Sequence, residues 1–103
     1  MPRHADIRFH NNAFLISGDL GFCNVMHIYE RSLSQVQRCH ELNFDFAQVT
    51  SSNSAGLALI IEWLKCAKQH NKPINFTNLS PDLLAIAKAA GIDNLIPYAM
   101  GCS

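Results

Sequence analysis

The segment LNFDFAQVTSSNSAGLALIIEWLKCAKQHNKPINFT, residues 42–77, carries the clearest structural signals in this chain. Its first six residues alternate polar and apolar, which predicts a short strand with Phe44 and Phe46 on one face. The polar residues that follow are typical of turns and helix caps. Helical periodicity then begins at or just before Ser54 and extends to about His70, which predicts a strand, a loop and a helix.

Downstream of that helix, residues 71–73 end with a proline, and residues 74–77 predict another strand. Ser80 precedes a proline and an aspartate, which is the pattern of a helix cap followed by a first turn. The third helix should run to Ala90. Gly91 then stands where a left-handed helix end is expected.

Upstream, two short apolar runs at residues 7–9 and 13–17 flank Asn11 and Asn12. Asparagine tolerates positive φ, so the pair predicts a tight hairpin turn. Residues 17–19 should end the second strand. Apolar residues at intervals of three and four then predict a first helix from about Asn24 to near His40.

The elements follow the order β-β-α-β-α-β-α, with helices placed as crossovers. This order predicts an α/β domain, namely a four-strand mixed sheet with helices mostly on one face. Residues 1–103 should form a single domain with its core at about residues 6–97, and the tail from Tyr98 onward should be loose.

The composition argues against several functional classes. Hydrophobic residues make up 49% of the chain, and eight Lys plus Arg balance eight Asp plus Glu. Without a basic surplus, nucleic-acid binding and direct binding to an anionic membrane are not expected. No apolar run approaches the ~20 residues that span a bilayer, and the first residues lack a signal-peptide core. A cytoplasmic location is therefore expected.

The reactive residues show no catalytic or metal-binding pattern. The four cysteines form no CxxC pair, the five histidines form no ligand pair, and no phosphate-binding loop or nucleophile motif is present. We expect reduced thiols, no metal, no cofactor and no enzymatic activity.

The second helix is apolar on more than one side. On a helical wheel, one stripe should face the sheet, comprising Leu57, Ile60, Ile61, Leu64 and Ala67. Leu59 and Trp63 fall on the opposite side, and their neighbours there are Ala55, Glu62 and Cys66. These residues, with Ser54, predict a docking surface for a partner protein. The alternative is that the Trp63 ring folds over the edge of its own domain.

Ser54 lies where a polar loop meets the start of the helix. Exposed amides and the helix dipole favour an anion at such a position, so a phosphate on Ser54 would stabilise the helix start while repelling a docked partner. The alternative is that residues 52–54 only cap the helix.

The stretch FDFAQVTSSNSAGLALIIEWLKCAKQHNKPINFTNLSPDLLAIAKAAGIDNLIP, residues 44–97, resembles the STAS family, named for sulfate transporters and anti-sigma factor antagonists. The upstream FLISGDLGF resembles the early strand and turn of that family. The segments EWLKCAK and DNLIP look most like the MlaB branch, the small subunit of an ABC phospholipid transporter that maintains outer-membrane lipid asymmetry. This resemblance implies a subunit that binds the cytoplasmic ATPase at the inner face of the inner membrane, without hydrolysing anything itself.

A second resemblance is to anti-sigma factor antagonists, STAS proteins that bind a kinase-like anti-sigma factor. Phosphorylation of a serine in a D-S-S-G loop switches them off, and Ser54 matches that serine. Asn53 and Ala55 depart from the pattern. The departures weaken the case for phosphorylation and leave the docking interpretation intact.

Overall fold

A computed structural model describes residues 5–96 and 98–99 of the chain. It contains one five-stranded sheet in the order β1-β2-β3-β4-β5, in which β1 and β2 are antiparallel and the remaining neighbours are parallel. Along the chain the elements are β1 (Ala5–His10), β2 (Ala13–Leu20), α1 (Val25–Arg38), β3 (Leu42–Ser52), α2 (Ser54–Gln69), β4 (Ile74–Thr77), α3 (Pro81–Ala89), a short 3-10 helix (Asp93–Leu95) and β5 (Tyr98–Ala99).

The predicted architecture is confirmed: a four-strand mixed sheet, β1 to β4, with three helices in the expected order. One correction concerns the C-terminal end. Tyr98–Ala99, expected to be part of a loose tail, pairs in parallel with β4 at Phe76 and Thr77 and adds a short edge strand.

The first hairpin turns at Asn11 and Asn12, as predicted. Both residues have positive φ, 51° and 62°, and His10 pairs directly with Ala13. Two consecutive left-handed residues make the type of two-residue turn that matches the twist of the flanking strands.

The second strand runs further than expected. Residues 17–19 do not end it, because Gly18 adopts a φ of 89° and the register with β3 shifts on either side of it. The strand therefore kinks and continues to Leu20, which pairs with Ser52.

The third strand is also longer than its apolar pattern indicated. The polar residues from Gln48 to Ser52 were expected to form a loop, yet they extend β3 and pair with the end of β2. The Ser51 hydroxyl donates a 2.6 Å hydrogen bond to the Asp19 carboxylate across this pair. Pairing with a neighbouring strand satisfies the backbone of a segment that apolar periodicity cannot identify.

The three helices cover one face of the sheet because β2, β3, β4 and β5 are parallel and adjacent in chain order, so right-handed crossovers place α1, α2 and α3 on the same side. Phe14, Phe44 and Phe76 lie side by side on three strands beneath them, with ring centroids 4.8 and 5.4 Å apart. All three rings are buried and form the floor of the core.

The helix ends agree with the sequence signals. The Ser80 hydroxyl accepts a hydrogen bond from the Leu83 amide, at 3.1 Å, and so caps α3. At the other end Gly91 has a φ of 76°, and the Ile92 amide donates to the Ala87 carbonyl at 3.0 Å. Among the described residues, no helix is both long and apolar enough to cross a membrane.

Candidate protein-docking site

The side of α2 that was predicted from the helical wheel to contact a partner protein is buried within this domain. Trp63 is 0% exposed and Leu59 is 3% exposed, so the prediction that they form an exposed anchor is wrong. Ala55 and Cys66, expected beside them, are buried as well. Of the six residues predicted to bind a partner, only Ser54 and Glu62 are exposed.

Trp63 is buried because α2 lies between α1 and α3 as well as on the sheet. Its indole ring stacks on Phe44 of β3, with centroids 4.0 Å apart, and its N–H donates a 2.9 Å hydrogen bond to the hydroxyl of Ser32 on α1. The wheel assumed one buried face, whereas the central helix of three has a buried flank on each side. Ile61, expected in the core stripe, is only half-buried.

The exposed side of α2 is a narrow stripe between these flanks. It carries Ser54, Ala58 and Glu62, which are four residues apart and therefore lie above one another. Glu62 is paired with Lys65 at 3.4 Å on the surface. A partner protein can reach this stripe.

Ser54 is the first residue of α2, as predicted. The preceding Asn53 accepts a 2.8 Å hydrogen bond from the Ala55 amide through its side-chain oxygen, so the capping role belongs to Asn53. The Ser54 side chain is left exposed at the positive end of the helix.

The helix start lies close against the ends of β2 and β3. A Cβ atom added to Gly56 would lie 3.2 Å from the Ser52 Cβ and 3.6 Å from the Leu20 Cβ. Since Leu20 also pairs with Ser52, the loop after β2 and the start of α2 emerge at the same carboxyl edge of the sheet.

Two large apolar side chains stand exposed at this edge, and neither was predicted from the sequence. Phe22 is 73% exposed and Met26 is 62% exposed. The available signal was that Met26 falls outside the apolar stripe of α1, and that Phe22 lies in a break between elements. Exposed large apolar residues of this kind mark interaction sites more often than isolated surface leucines do.

The loop that carries Phe22 is held by hydrogen bonds. The Asn24 side-chain amide donates to the Asp19 carbonyl at 2.7 Å, and the Val25 amide donates to the Gly21 carbonyl at 3.2 Å. Phe22 therefore projects from a closed turn, which lowers the entropy lost when a partner covers it.

The first turn of α1 lies beside the exposed stripe of α2. Burial raises the pKa of the Tyr29 phenol, and the neighbouring Cys66 thiol and Glu62 carboxylate add to the rise, which places Tyr29 next to the middle of α2. The hydrogen bond between Trp63 and Ser32 aligns α1 with α2, and both helices run in the same direction, so Met26, six residues before Ser32, is about level with the turn that contains Ala58. We call Phe22, Met26, Ser54 and Ala58 the docking face, with Glu62 at its lower end.

The docking face offers apolar side chains, one hydroxyl and one carboxylate. Within the described part of the chain, no three His, Cys, Asp or Glu side chains come together in a way that could hold a metal ion. The described cysteines are free, and Cys66 is buried. What this surface presents is an apolar contact area with a polar rim, as protein interfaces do.

Solved structures of similar fold include two anti-sigma factor antagonists and a variant of RsbS. The chain superposes on the anti-sigma factor antagonist SpoIIAA in its unphosphorylated form with a TM-score of 0.71 and 14% identity, covering 95% of this chain and 90% of that chain. A serine-to-glutamate variant of RsbS from Moorella thermoacetica gives a TM-score of 0.70 and 15% identity, covering 94% and 86%. An anti-sigma factor antagonist from Mycobacterium paratuberculosis gives 0.65 and 13%, covering 94% and 85%.

These identities are low, so the superpositions establish the fold alone. No curated protein is significantly similar in sequence to this chain. A family model described as "Mlab, STAS domain" matches residues 4–97, which is nearly the whole chain and includes both parts of the docking face. The chain therefore belongs to the STAS domain family.

Proposed function

We propose that this chain is a non-catalytic subunit that binds the ATPase of an ABC phospholipid transporter and thereby supports the maintenance of outer-membrane lipid asymmetry. The family model that matches the chain carries the MlaB description, and STAS domains are generally non-catalytic regulatory proteins. In this role the chain lies in the cytoplasm, at the inner face of the inner membrane. Its association with the membrane is indirect, through the transporter.

The observation that carries the proposal is the exposure of Phe22 and Met26 beside the start of α2. A solvent-exposed phenylalanine and methionine on neighbouring turns supply the apolar centre that a stable interface needs. Ser54 and Glu62 border that centre, so they remain in the proposed contact. The four buried residues, Ala55, Leu59, Trp63 and Cys66, support the surface from beneath.

A second candidate function is that of an anti-sigma factor antagonist bound by a kinase-like anti-sigma factor. The observation in its favour is that the Ser54 hydroxyl is exposed at the first position of α2, where a kinase can reach it. A phosphate there would interact favourably with the helix dipole. Against it, Asn53 stands in place of the acidic residue of the family's serine loop and already serves as the helix cap.

The test is co-purification of the tagged chain with the ATPase subunit from its own organism, and separately with a kinase-like anti-sigma factor. Phe22→Ala and Met26→Ala should each weaken ATPase binding by about tenfold or more, as loss of an interface anchor does. Leu95→Ala is the matched control, because Leu95 is similarly exposed, at 64%, and lies outside the docking face.

Three outcomes separate the candidates. Capture of the ATPase that depends on Phe22 and Met26 supports the transporter subunit. Capture of the anti-sigma factor alone supports the antagonist. If a partner binds the Phe22 and Met26 variants as tightly as it binds the wild type, the docking face has been assigned to the wrong part of the molecule.

A further inference from the structure

A pocket opens at the opposite edge of the sheet from the docking face. It has a volume of about 470 Å³ and lies between the end of the first hairpin, the last turn of α1 and the starts of β3 and β4. Its walls include Phe9, Asn12, Gln35, Arg38, His40 and Pro73. A volume of this size is within the range of small-molecule sites. We call it the amino-edge pocket.

The polar rim of the pocket carries one positive and one negative side chain, Arg38 and Glu41. The Arg38 side chain makes no hydrogen bond or ion pair with any other described residue, although Glu41 lines the same pocket. The Lys72 ammonium lies just behind the wall and donates a hydrogen bond to the Val36 carbonyl. Lys72 thereby offsets the negative end of the α1 dipole, which would otherwise repel an anion from this pocket.

The inner wall of the pocket is apolar and fixed. The Phe9 ring is 36% exposed, and it is held edge-on against the buried Phe14 ring with centroids 5.0 Å apart. Pro73 supplies a second rigid apolar surface, since its carbonyl accepts a 2.8 Å hydrogen bond from the Leu42 amide. Burial raises the pKa of the Cys39 thiol, so this third wall residue is uncharged at neutral pH.

We propose that the amino-edge pocket binds a small aromatic carboxylate, whose charge pairs with Arg38 and whose ring packs between Phe9 and Pro73. The guanidinium group presents two parallel N–H donors that match a carboxylate. Asn12 and Gln35 also line the pocket, and their side-chain amides can donate hydrogen bonds to oxygen atoms of such a ligand. This site is separate from the docking face, at the other end of α1.

The test is a titration of the full chain with 2-naphthoate, followed by amide chemical shifts in NMR. Saturable binding should shift the amides of residues 9–12 and 35–41 and leave those around Ser54 unchanged. Naphthalene-2-methanol, which has the ring without the charge, and acetate, which has the charge without the ring, should each bind at least about tenfold more weakly.

Arg38→Gln should weaken 2-naphthoate binding by about tenfold or more, since hydrogen bonds to charged groups are the stronger kind. Arg8→Gln is the matched control. Arg8 is an exposed arginine on β1 outside the pocket, and its substitution removes the same charge from the protein. Both variants should have the melting temperature of the wild type, since neither side chain is buried.

Several results would overturn the proposal. These are the absence of saturable 2-naphthoate binding in the millimolar range, equal binding of the uncharged alcohol, or an Arg38→Gln variant that binds within twofold of the wild type. Shifts confined to the groove between Ile61 and Leu95, which Lys65 and Lys68 also line, would overturn it too, by showing that the ligand prefers another surface.

Discussion

The indole N–H of Trp63 donates a 2.9 Å hydrogen bond to the Ser32 hydroxyl, which in turn donates a 2.6 Å bond to the Tyr29 carbonyl. This short chain of bonds joins α2 to α1 inside the core, where Ser32 is 1% exposed. Every polar atom in it is satisfied. A buried tryptophan needs such a partner for its one donor, and the serine supplies it.

The first prediction concerns this pair. Ser32→Ala leaves the indole N–H buried without an acceptor and should lower the free energy of unfolding by about 1–3 kcal/mol. Trp63→Phe loses ring volume but leaves no unpaired donor, so the double variant should cost less than the sum of the single variants, by about 1 kcal/mol. Urea unfolding followed by circular dichroism measures all four proteins. Additive costs would show that the bond contributes nothing.

The same geometry changes how Trp63→Ala should be read. Truncating a fully buried tryptophan typically costs about 3–5 kcal/mol, which is a large part of the stability of a domain this size. A Trp63→Ala variant that fails to bind a partner would therefore report unfolding. Ile61→Ala truncates a half-buried side chain and should cost less stability than Trp63→Ala. The helical wheel predicted the opposite order.

The fold was predictable where local chemistry fixes the backbone. Asn11 and Asn12 indicated the hairpin, and Ser80 and Gly91 marked the two ends of α3. The extension of β3 through Ser52 was not predictable from the chain itself. Its polar residues are held by pairing with β2, a contact between segments about thirty residues apart that no local pattern records.

The site was predictable only in part, for a related reason. Ser54 was placed correctly because capping signals are local. The orientation of Trp63 depends on α1 packing against α2, and a helical wheel contains no information about a third neighbour. Phe22 and Met26 escaped notice because exposure can be judged only once the surrounding chain has a position.

The second prediction concerns Gly56, which lies where α2 approaches the sheet. A Cβ atom there would lie 3.2 Å from the Ser52 Cβ, which is tight, while alanine is favoured over glycine in a helix by about 1 kcal/mol. These effects oppose each other, so Gly56→Ala should change stability by less than about 1 kcal/mol. Gly56→Val cannot be accommodated and should cost about 2 kcal/mol or more through overpacking.

Ala58→Val is the control for the Gly56 series, because it introduces the same branched side chain at an exposed position of the same helix. Thermal and urea unfolding of the three variants make the comparison. If Gly56→Val is no more destabilising than Ala58→Val, the start of α2 does not lie as close to β2 and β3 as described.

The third prediction uses the ion pair between Asp6 on β1 and Arg31 on α1. The Ile7 amide and the Arg31 guanidinium hold the pKa of the Asp6 carboxyl below its ordinary value of 3.8. A carboxyl group with a lowered folded-state pKa stabilises the fold above about pH 4 and loses that contribution as the pH falls through the folded value. Because both side chains are about half exposed, the contribution should stay below about 1 kcal/mol.

Asp6→Asn should therefore be less stable than the wild type at pH 7, and the difference should be smaller at pH 3. Glu41→Gln removes one exposed carboxylate that forms no ion pair with the described residues, and serves as the control. Urea midpoints at the two pH values measure the effect. A difference that stays constant with pH would show that the carboxyl charge is not involved.

The last prediction separates the stability of the docking face from its binding, through Ser54. A glutamate at the first position of α2 lies at the positive end of the helix, so Ser54→Glu should leave the melting temperature unchanged or slightly raised. The same charge at a covered interface is costly to desolvate, so partner binding should fall by about tenfold or more. Ser54→Ala removes only a small exposed group and should bind nearly as the wild type does.

Ser54→Gln is the matched control for that charge, because glutamine has the size of glutamate without its carboxylate. If Ser54→Gln weakens binding as much as Ser54→Glu, the effect is steric and Ser54 lies in a close-packed part of the contact. If the two differ, charge at this helix start governs docking, and a phosphate on Ser54 would act in the same direction. Equal affinities for the wild type and all three variants would place Ser54 outside the interface and confine the contact to Phe22 and Met26.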